Sequence, residues 1–318
     1  MNKKLKLITT KFFGNVSENR NLYIGGSDAG AIMNANPWKS RYKLWLEKTE
    51  QIAKEDISDK LKVWFGTEEE EIVAKRFTFE TDKKVKRSNL SYTCEEYPFL
   101  IGHIDRLVVG EKSGLECKTT SAYNLTDYEN GDVPPSYYWQ CMHYLMLTGL
   151  ERWYIAVKKD NNRFYILQID RDEEKINQLL KEELNFWDLV KRKEAPEIDG
   201  SNSTSEAIAK QFNSVDDEII ELSGEKIDTI LKSLDDINAE IKKLSDIKTA
   251  YQNDIKFNLG NHQKAFTKNY TINWAKSTST RIDKKALDEI KNAYPEVYQK
   301  YAKTSEIRTL RIVKNKGE

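Results

Sequence analysis

The sequence contains few cysteines and lacks any long apolar run. Its three cysteines, Cys94, Cys117 and Cys141, are widely separated and form no C-x₂-C pair. An odd and dispersed set fits reduced thiols and argues against a disulfide framework. It also argues against a zinc site, and a four-cysteine iron–sulfur cluster is impossible. No run of about 18 apolar residues is present, so we expect no transmembrane helix.

The chain also lacks a net charge, because 51 basic residues balance 51 acidic ones. Affinity for nucleic acid therefore cannot come from bulk charge and needs a local basic surface. With 32% charged and 39% hydrophobic residues, the composition is that of a soluble globular protein. The basic N-terminus, MNKKLKLITTKFF, lacks the apolar core and the small-residue cleavage site of a signal peptide. We therefore expect a cytoplasmic protein.

A β-rich segment, Phe99–Thr119, concentrates carboxylates and a lysine. Turn-forming residues 110–114 divide it into two runs, which predicts a hairpin. Side chains alternate between the faces of a strand, so Glu116 and Lys118 share one face. Asp105, near the middle of the first predicted strand, can lie beside that pair.

Two carboxylates and an ammonium group on neighbouring strands favour a hard divalent cation. Mg²⁺ takes oxygen ligands, and a lysine can face a metal-activated water. The alternative is that Glu116 and Lys118 are ordinary exposed residues of an amphipathic strand. A bare D…ExK pattern is frequent by chance, so the assignment depends on three other segments.

The first of these segments is Arg20–Met33, RNLYIGGSDAGAIM. The glycine pair breaks the chain, and Ser27 and Asp28 supply N-cap residues for a helix over residues 29–35. A helix N-terminus of this kind is an anion site, to which Arg20 can add a bidentate contact with a terminal phosphate. The alternative is an ordinary capped helix.

The other two segments are predicted helices. On the helix over residues 59–79, Glu70 lies one turn after Gly66 and is the best placed of four adjacent acids to reach the site. The residues of this helix that suit a core face are Leu61, Phe65, Ile72, Val73 and Phe77. On the helix Ser136–Thr148, Gln140 is the polar exception on an apolar face, and taken alone it is a boundary residue. The remaining predicted elements are helices over 38–48 and 171–193 and strands over 85–93, 153–159 and 164–170.

Composition divides the chain into a main domain, residues 1–195, a linker, residues 196–215, and a C-terminal extension, residues 216–318. The linker is marked by PEIDGSNSTS, which is poor in apolar residues. In the extension, apolar residues at alternating spacings of three and four predict a long helix with a coiled-coil-like stripe, interrupted only by Lys248. The residues of the stripe are Ile227, Ile230, Leu234, Ile237, Ile241, Leu244, Tyr251 and Ile255.

The tail of the extension has β-like runs at Lys264–Trp274 and Arg308–Val313, with a predicted helix, Asp283–Lys303, between them. We expect these elements to form a small α+β core. The alternative is that its tyrosines, tryptophan and basic residues contact DNA by stacking and by phosphate contacts.

Four segments occur in a recognisable order: IGGSDAGAI after an arginine, FGTEEEEIVAKRF, GHIDRL…GLECKT, and SYYWQCMHYLMLTG before RWYIAV. Over residues 22–170 this pattern resembles the YqaJ-type viral recombinase family, nucleases similar to bacteriophage lambda exonuclease within the PD-(D/E)xK superfamily. The resemblance implies an α/β (α+β) fold, in which helices flank a mixed central sheet as in the restriction-endonuclease-like core.

The resemblance also implies a Mg²⁺ site, where Mn²⁺ can substitute. Asp105, Glu116 and the backbone carbonyl of Cys117 would be the ligands. Lys118 would orient the attacking water and help to deprotonate it. Glu70 would complete the acidic site, directly or through water.

Further residues match the family pattern around this centre. Gln140 would hydrogen-bond around the catalytic lysine, and Arg20 and Ser27 would hold the 5′-phosphate of the digested strand. Two positions depart from the superfamily pattern: Ile104 replaces a proline, and Arg106 stands where a glycine is common. Arg106 is therefore an additional candidate for a phosphate contact with DNA.

The function implied is digestion of one strand of linear duplex DNA from its 5′ end, which leaves a 3′ overhang for strand annealing in phage-type recombination. The implied partners are duplex DNA ends, two further copies of the chain in a ring-shaped homotrimer, and a phage single-strand annealing protein; no membrane is involved. Three rival functions remain: an endonuclease of the same superfamily, an iron–sulfur exonuclease, which the cysteine count disfavours, and a non-catalytic DNA-end-binding scaffold for a recombinase.

Overall fold

The computed structural model describes residues 5–11, 20–55, 60–121, 126, 128–214, 216, 218–222, 224–303 and 309–312. The chain divides into two compact units, Met1–Val215 and Asp216–Glu318. Within the described residues, none of the helices combines the length and the apolar character that crossing a membrane requires.

The first unit is built around two β-sheets. Its strands are β1 (Leu7–Lys11), β2 (Ile24–Gly25), β3 (Val85–Arg87), β4 (Leu90–Cys94), β5 (Leu100–His103), β6 (Arg106–Val108), β7 (Ser113–Thr120), β8 (Arg152–Lys159) and β9 (Arg163–Asp170). One sheet has the order β3-β6-β7-β8-β9, with β7 and β8 parallel and the other pairs antiparallel. The other has the order β1-β4-β5-β2 and contains the parallel pair β2–β5. Both sheets are mixed, which confirms the predicted α+β fold.

Helices cover both faces of the sheet that contains β7 and β8. The described helices of the first unit are α1 (Gly26–Ile32), α2 (Arg41–Lys48), α3 (Leu61–Thr81), α4 (Pro135–Thr148), α5 (Glu173–Arg192) and α6 (Asn202–Gln211). Successive side chains of a strand point to opposite faces. On β8, Trp153 and Ile155 join the core that contains α4 and α5, whereas Tyr154 packs with Phe77 of α3 in a second core. The sheet is therefore buried on both sides.

Local sequence signals fix the ends of several helices. The Ser40 hydroxyl accepts the backbone N–H of Lys43 at 3.1 Å and caps α2, and Asp172 caps α5 in the same way. Pro135 occupies the first turn of α4, where its missing N–H costs nothing. Gly149 ends that helix at φ +68°, a left-handed conformation that glycine adopts without strain.

The predicted first strand of the hairpin is in fact two strands. β5 ends at His103 and β6 begins at Arg106, so Ile104 and Asp105 form a break. The two strands belong to different sheets, because the chain turns here from one sheet into the other. Asp105 therefore lies at a junction and not in the middle of a regular strand.

The predicted core face of α3 is only partly right. Val73 and Phe77 are buried, but Leu61, Phe65 and Ile72 are 73%, 50% and 58% exposed. A side chain added at Gly66 would come within 3.4 Å of the Thr119 hydroxyl, one residue before the end of β7. The first turns of α3 therefore run past the end of the sheet and have no core to cover. Ile72 lines a surface cavity beside Val73 and Phe164.

Part of the predicted linker, residues 196–215, is a packed helix. α6 is capped by Ser201 and buries Ser203, Thr204 and Ala207. The Ser203 hydroxyl accepts the backbone N–H of Ser40 at 3.0 Å. Small and polar residues gave this segment the composition of a loop, but here they let a helix pack closely against α2.

The second unit contains α7 (Glu225–Leu259), β10 (Lys264–Phe266), β11 (Thr271–Asn273), α8 (Lys284–Ala293) and α9 (Pro295–Tyr301). The predicted long helix is present as α7, and its apolar stripe is exposed. Of the described residues in this unit, only Leu259 is buried, so the expected small α+β core does not form among them. The predicted helix Asp283–Lys303 is divided at Pro295, which cannot continue a helix. Both ends of the predicted run Arg308–Val313 lie outside the described residues.

Candidate active site

Two carboxylates come together where the chain passes between the sheets. Arg106 pairs with Leu115 across β6 and β7, so the preceding residue, Asp105, comes opposite Glu116. The backbone N–H of Cys117 donates to Asp105 Oδ2 at 3.2 Å. Asp105 therefore contacts the backbone N–H of Cys117. The family resemblance instead implies a role for the Cys117 carbonyl, as a metal ligand.

Lys118 and Gln140 complete the cluster around Glu116. Lys118 Nζ donates to Glu116 Oε1 at 2.5 Å, as expected for residues i and i+2 of one strand face. Gln140 Nε2, from α4, donates to the same oxygen at 2.8 Å and lies 2.9 Å from the Tyr144 hydroxyl. The glutamine predicted to act near the lysine therefore contacts the carboxylate that the lysine holds.

Arg106, the neighbour of Asp105, links Glu70 to the carboxylate cluster. Arg106 donates to Glu70 Oε1 at 2.9 Å and to Glu71 Oε2 at 3.1 Å. Arg106 is poorly placed for the predicted contact with DNA, because its side chain is only 4% exposed and is engaged with these two carboxylates. The sequence departure at this position instead supplies a counter-charge that orients the helical glutamate.

The pKa values show that negative charge is concentrated here. Burial and the carboxylate of Glu116 raise the pKa of Asp105 to about 7. Burial and Asp105 raise the pKa of Glu70, against the opposing effect of Arg106. Burial alone would lower the pKa of Lys118, but the Glu116 carboxylate outweighs it and raises that pKa. The site therefore favours an added positive charge beside a lysine that keeps its proton.

The donor set fits a divalent cation. Glu116 Oε2 is buried and has no hydrogen-bond partner among the described atoms, and buried carboxylate oxygens are rarely left unpaired. The Asp105 carboxyl group can supply a second oxygen ligand. Its raised pKa disfavours ionisation unless a cation lies nearby. No three His, Cys, Asp or Glu side chains of the described residues group closely enough to hold a metal alone. A Mg²⁺ ion would thus rely on Asp105 and Glu116, with backbone oxygen or water for the rest.

Arg20 and Ser27 meet at the start of α1. The Arg20 guanidinium donates to the Ser27 hydroxyl. α1 begins at Gly26, earlier than predicted, so Ser27 lies in its first turn and does not act as its N-cap. Asp28 accepts the N–H of Gly25 at 3.1 Å and is 3.6 Å from Arg20.

Lys48 was missed by the sequence analysis, although it anchors this group. Its buried ammonium lies 2.9 Å from Asp28 Oδ2 and donates to the carbonyls of Arg20 and Tyr23 at 2.7 and 2.5 Å. Burial alone would raise the pKa of Asp28, but Lys48 and Arg20 hold it well below its usual range. No local motif marks a lysine near the end of α2 for this role, because its partners lie 20 or more residues away.

The two groups open onto the same groove. A groove of about 740 Å³ is lined by Ser27, Lys118 and Gln140, and by Trp38 and Lys62 at other points of its wall. Arg20 and Ser27 also line an adjoining cavity of about 250 Å³, where Lys54 adds a further positive charge. A ligand in this groove can therefore contact Ser27 and, at the same time, Lys118 and Gln140.

Helices on both faces of a mixed sheet, with Asp105 at a strand junction beside Glu116 and Lys118 of β7, define an α+β protein with a carboxylate–lysine cluster. The profile of the YqaJ-like viral recombinase domain matches residues 17–151. A Bacillus subtilis (strain 168) protein described as uncharacterized protein YqaJ is 38% identical over 293 residues, which cover 91% of this chain and 90% of that protein. The chain belongs to the YqaJ-like viral recombinase family.

Two solved exonuclease structures are similar to about half of this chain. The alkaline exonuclease LHK-Exo from Laribacter hongkongensis is 18% identical, with 55% of this chain and 90% of that chain covered and a TM-score of 0.46. A phage-related exonuclease from Haemophilus somnus 129PT is 14% identical, with 54% and 96% covered and a TM-score of 0.41.

Replacing Arg106 tests its contact with Glu70. We expect Arg106→Gln to lower the free energy of unfolding by about 1.5–3 kcal/mol, the usual contribution of a hydrogen bond to a charged group. Urea denaturation measures the change. Arg87→Gln is the matched control, because Arg87 is 61% exposed and 3.5 Å from Glu71, and exposed pairs contribute about 1 kcal/mol or less. Equal effects of the two substitutions would contradict the assignment.

Proposed function

We propose that the protein is a Mg²⁺-dependent exonuclease that digests one strand of linear duplex DNA from its 5′ end. The product would be a 3′ overhang for strand annealing in phage-type recombination. The observation that carries the proposal is the convergence of Asp105 and Glu116 beside Lys118, which lines the same groove as Ser27. Membership of a viral recombinase family agrees with this activity.

Each residue of the cluster has a separate role in the proposed phosphodiester hydrolysis. Bound Mg²⁺, or Mn²⁺ in its place, supplies an activated water and neutralises charge on the phosphate. Asp105 and Glu116 would hold the cation, with the Cys117 carbonyl as a further oxygen ligand, and Glu70 would contribute through water. Lys118, whose ammonium contacts Glu116 Oε1 at 2.5 Å, would orient the water as a hydrogen-bond donor and stabilise developing charge. Its help in deprotonating that water, which the family resemblance implies, is part of the same proposal.

Gln140 contacts the Glu116 carboxylate from α4. Its amide donates to Glu116 Oε1, the same oxygen that Lys118 contacts. Two donors on one oxygen leave Oε2 to face the cation. We infer that Gln140 is a positioning residue that fixes the carboxylate orientation.

Arg20 and Ser27 form the proposed 5′-phosphate site. A guanidinium fork and a hydroxyl together match the oxygens of a terminal phosphate. We expect Arg20→Met to reduce the preference for 5′-phosphorylated over 5′-hydroxyl ends by about 10- to 100-fold, since a charge-assisted hydrogen bond contributes about 1.5–3 kcal/mol. The ratio of initial digestion rates on the two ends measures this preference. Arg76→Met, which removes an exposed arginine paired with Glu80, should leave the ratio unchanged.

Digestion of a linear duplex labelled separately at each end tests the whole proposal. We expect Mg²⁺-dependent release of the 5′ label before the 3′ label, and faster release from 5′-phosphate than from 5′-hydroxyl termini. Cleavage of covalently closed circles would instead identify an endonuclease. DNA binding without degradation in Mg²⁺ would identify a non-catalytic end-binding scaffold.

A homotrimer and a single-strand annealing partner are also proposed from family membership. A ring of three copies would enclose a DNA duplex and keep the enzyme on its substrate. Light scattering of the purified full chain should give three times the monomer mass of 37.1 kDa. A monomeric mass would contradict the ring, while leaving the site chemistry intact.

A further inference from the structure

The second unit contains a segment with a one-sided charge. Between Asp254 and Asp283 the sequence has no acidic residue, but it has five lysines or arginines and four aromatic residues. The chain as a whole is neutral, with 51 acidic residues among 318. This stretch of 28 residues without an acidic side chain is therefore a candidate for the local basic surface that a neutral chain needs in order to bind nucleic acid.

This segment folds into a hairpin with a defined tip. β10 and β11 pair antiparallel, with Phe266 opposite Thr271. The Thr267 N–H donates to the carbonyl of Tyr270 at 2.8 Å. The Thr267 hydroxyl in turn accepts the N–H groups of Asn269 and Tyr270 at 3.3 and 3.1 Å. Residues 266–270 form the hairpin tip, whose shape is fixed by its own hydrogen bonds.

The hairpin tip presents aromatic rings and ammonium groups to solvent. Phe266 is 82% exposed and Tyr270 is 73% exposed. Lys268 lies between them, and Lys264 is exposed on the same strand face as Phe266. Among the described residues, neither lysine forms an ion pair with a carboxylate. Large exposed rings in a soluble protein mark an interaction surface.

We propose that the hairpin tip binds single-stranded nucleic acid. Unpaired bases offer ring faces on which Phe266 and Tyr270 can stack, whereas a duplex hides those faces inside its base-pair stack. Lys264 and Lys268 lie where they can contact phosphates of the same strand. A protein partner would be expected to bring acidic residues to this segment, but stacking rings beside unpaired cations match a polyanion with exposed bases more closely.

This binding goes beyond the proposed nuclease activity and does not require it. The hairpin tip belongs to the second unit, and the carboxylate cluster belongs to the first. If the nuclease proposal also holds, the strand left unpaired by digestion is the natural ligand. A test without Mg²⁺ separates the two proposals, because binding is then measured with no degradation.

The experiment is fluorescence anisotropy of a labelled 20-nucleotide oligo(dT) titrated with the full chain in EDTA. We expect the double variant Phe266→Ala/Tyr270→Ala to weaken binding by about tenfold or more, the size expected when stacking on a base is lost. The matched control is Tyr251→Ala, which removes a 67% exposed aromatic ring from α7. This control should bind as the unsubstituted chain does. Both substitutions are on the surface, and circular dichroism should be unchanged.

A second pair of variants tests the charge contribution. We expect Lys264→Gln/Lys268→Gln to reduce the slope of log affinity against log salt by about 1.4, since each phosphate contact on a single strand adds about 0.7. A duplex of the same length should bind without any effect of Phe266→Ala/Tyr270→Ala. Unchanged oligo(dT) affinity in that aromatic variant would overturn the proposal. An equal loss on single strand and duplex would overturn the single-strand assignment, and a normal digestion rate in either case would leave the nuclease proposal standing.

Discussion

Glu116→Gln is expected to reduce the rate of duplex digestion by about 10³-fold. A cation held by this carboxylate contributes several kcal/mol to the transition state, and each 1.36 kcal/mol corresponds to about a tenfold change in rate. The amide keeps an oxygen that can accept from Lys118 and Gln140, so the fold should persist. It replaces the unpartnered Glu116 Oε2 with a group that cannot bind a cation.

Initial rates of digestion in excess Mg²⁺, together with thermal unfolding, measure this effect. Glu69→Gln is the matched control, because Glu69 pairs with Lys158 on α3 and β8 outside the carboxylate cluster. It should retain nearly full activity. A folded Glu116→Gln protein within tenfold of the unsubstituted rate would refute the metal-ligand role of Glu116.

Lys48→Met is expected to lower the free energy of unfolding of the first unit by about 3–5 kcal/mol. The substitution leaves the Asp28 carboxylate, which is 5% exposed, without its closest counter-charge, and such unpaired buried charges are strongly destabilising. Adding Asp28→Asn should recover much of the loss, since it removes the uncompensated charge. Urea denaturation of the single and double variants measures both changes.

A surface lysine provides the comparison for Lys48. Lys75→Met removes an ammonium that is 75% exposed and 3.9 Å from Glu71, and it should shift the unfolding free energy by about 0.5 kcal/mol or less. The pKa of Asp28 is lowered in the folded state, so its pairing stabilises the protein at neutral pH. That contribution disappears as the pH falls from the unfolded-state pKa towards the lower folded value. Lys48→Met should therefore show a smaller acid-induced loss of stability than the unsubstituted chain.

Much of the fold followed from local sequence signals. Alternation along β7 placed Glu116 and Lys118 on one face, and the Gln140 position on α4 followed from its helical spacing. These predictions rest on the periods of strand and helix, which neighbours along the chain determine. The junction at Ile104–Asp105 did not follow, because β-rich residues on both sides hide a change of sheet.

The parts that the sequence did not reveal depend on contacts between distant segments. Arg106 was an additional candidate for a phosphate contact because an arginine stands where the superfamily pattern commonly has a glycine. Its burial against Glu70 depends on how α3 crosses β6, which no local pattern specifies. Lys48 escaped for the same reason. The exposure of Phe266 and Tyr270 also could not be predicted, because aromatic residues in short strands usually indicate a packed core.

Asp105 and Glu116 are held by different parts of the fold, because Asp105 lies at the junction between the two sheets. Asp105 sits on the link from β5 to β6, whereas Glu116 belongs to the continuous strand β7. A small rotation of one sheet against the other would move the first carboxylate more than the second, against the hydrogen bond that ties Asp105 to Cys117. The distance between the two carboxylates therefore depends on the angle between the sheets. Residues deep in the β1-β4-β5-β2 sheet can therefore change this distance, on which the affinity of the proposed cation site depends.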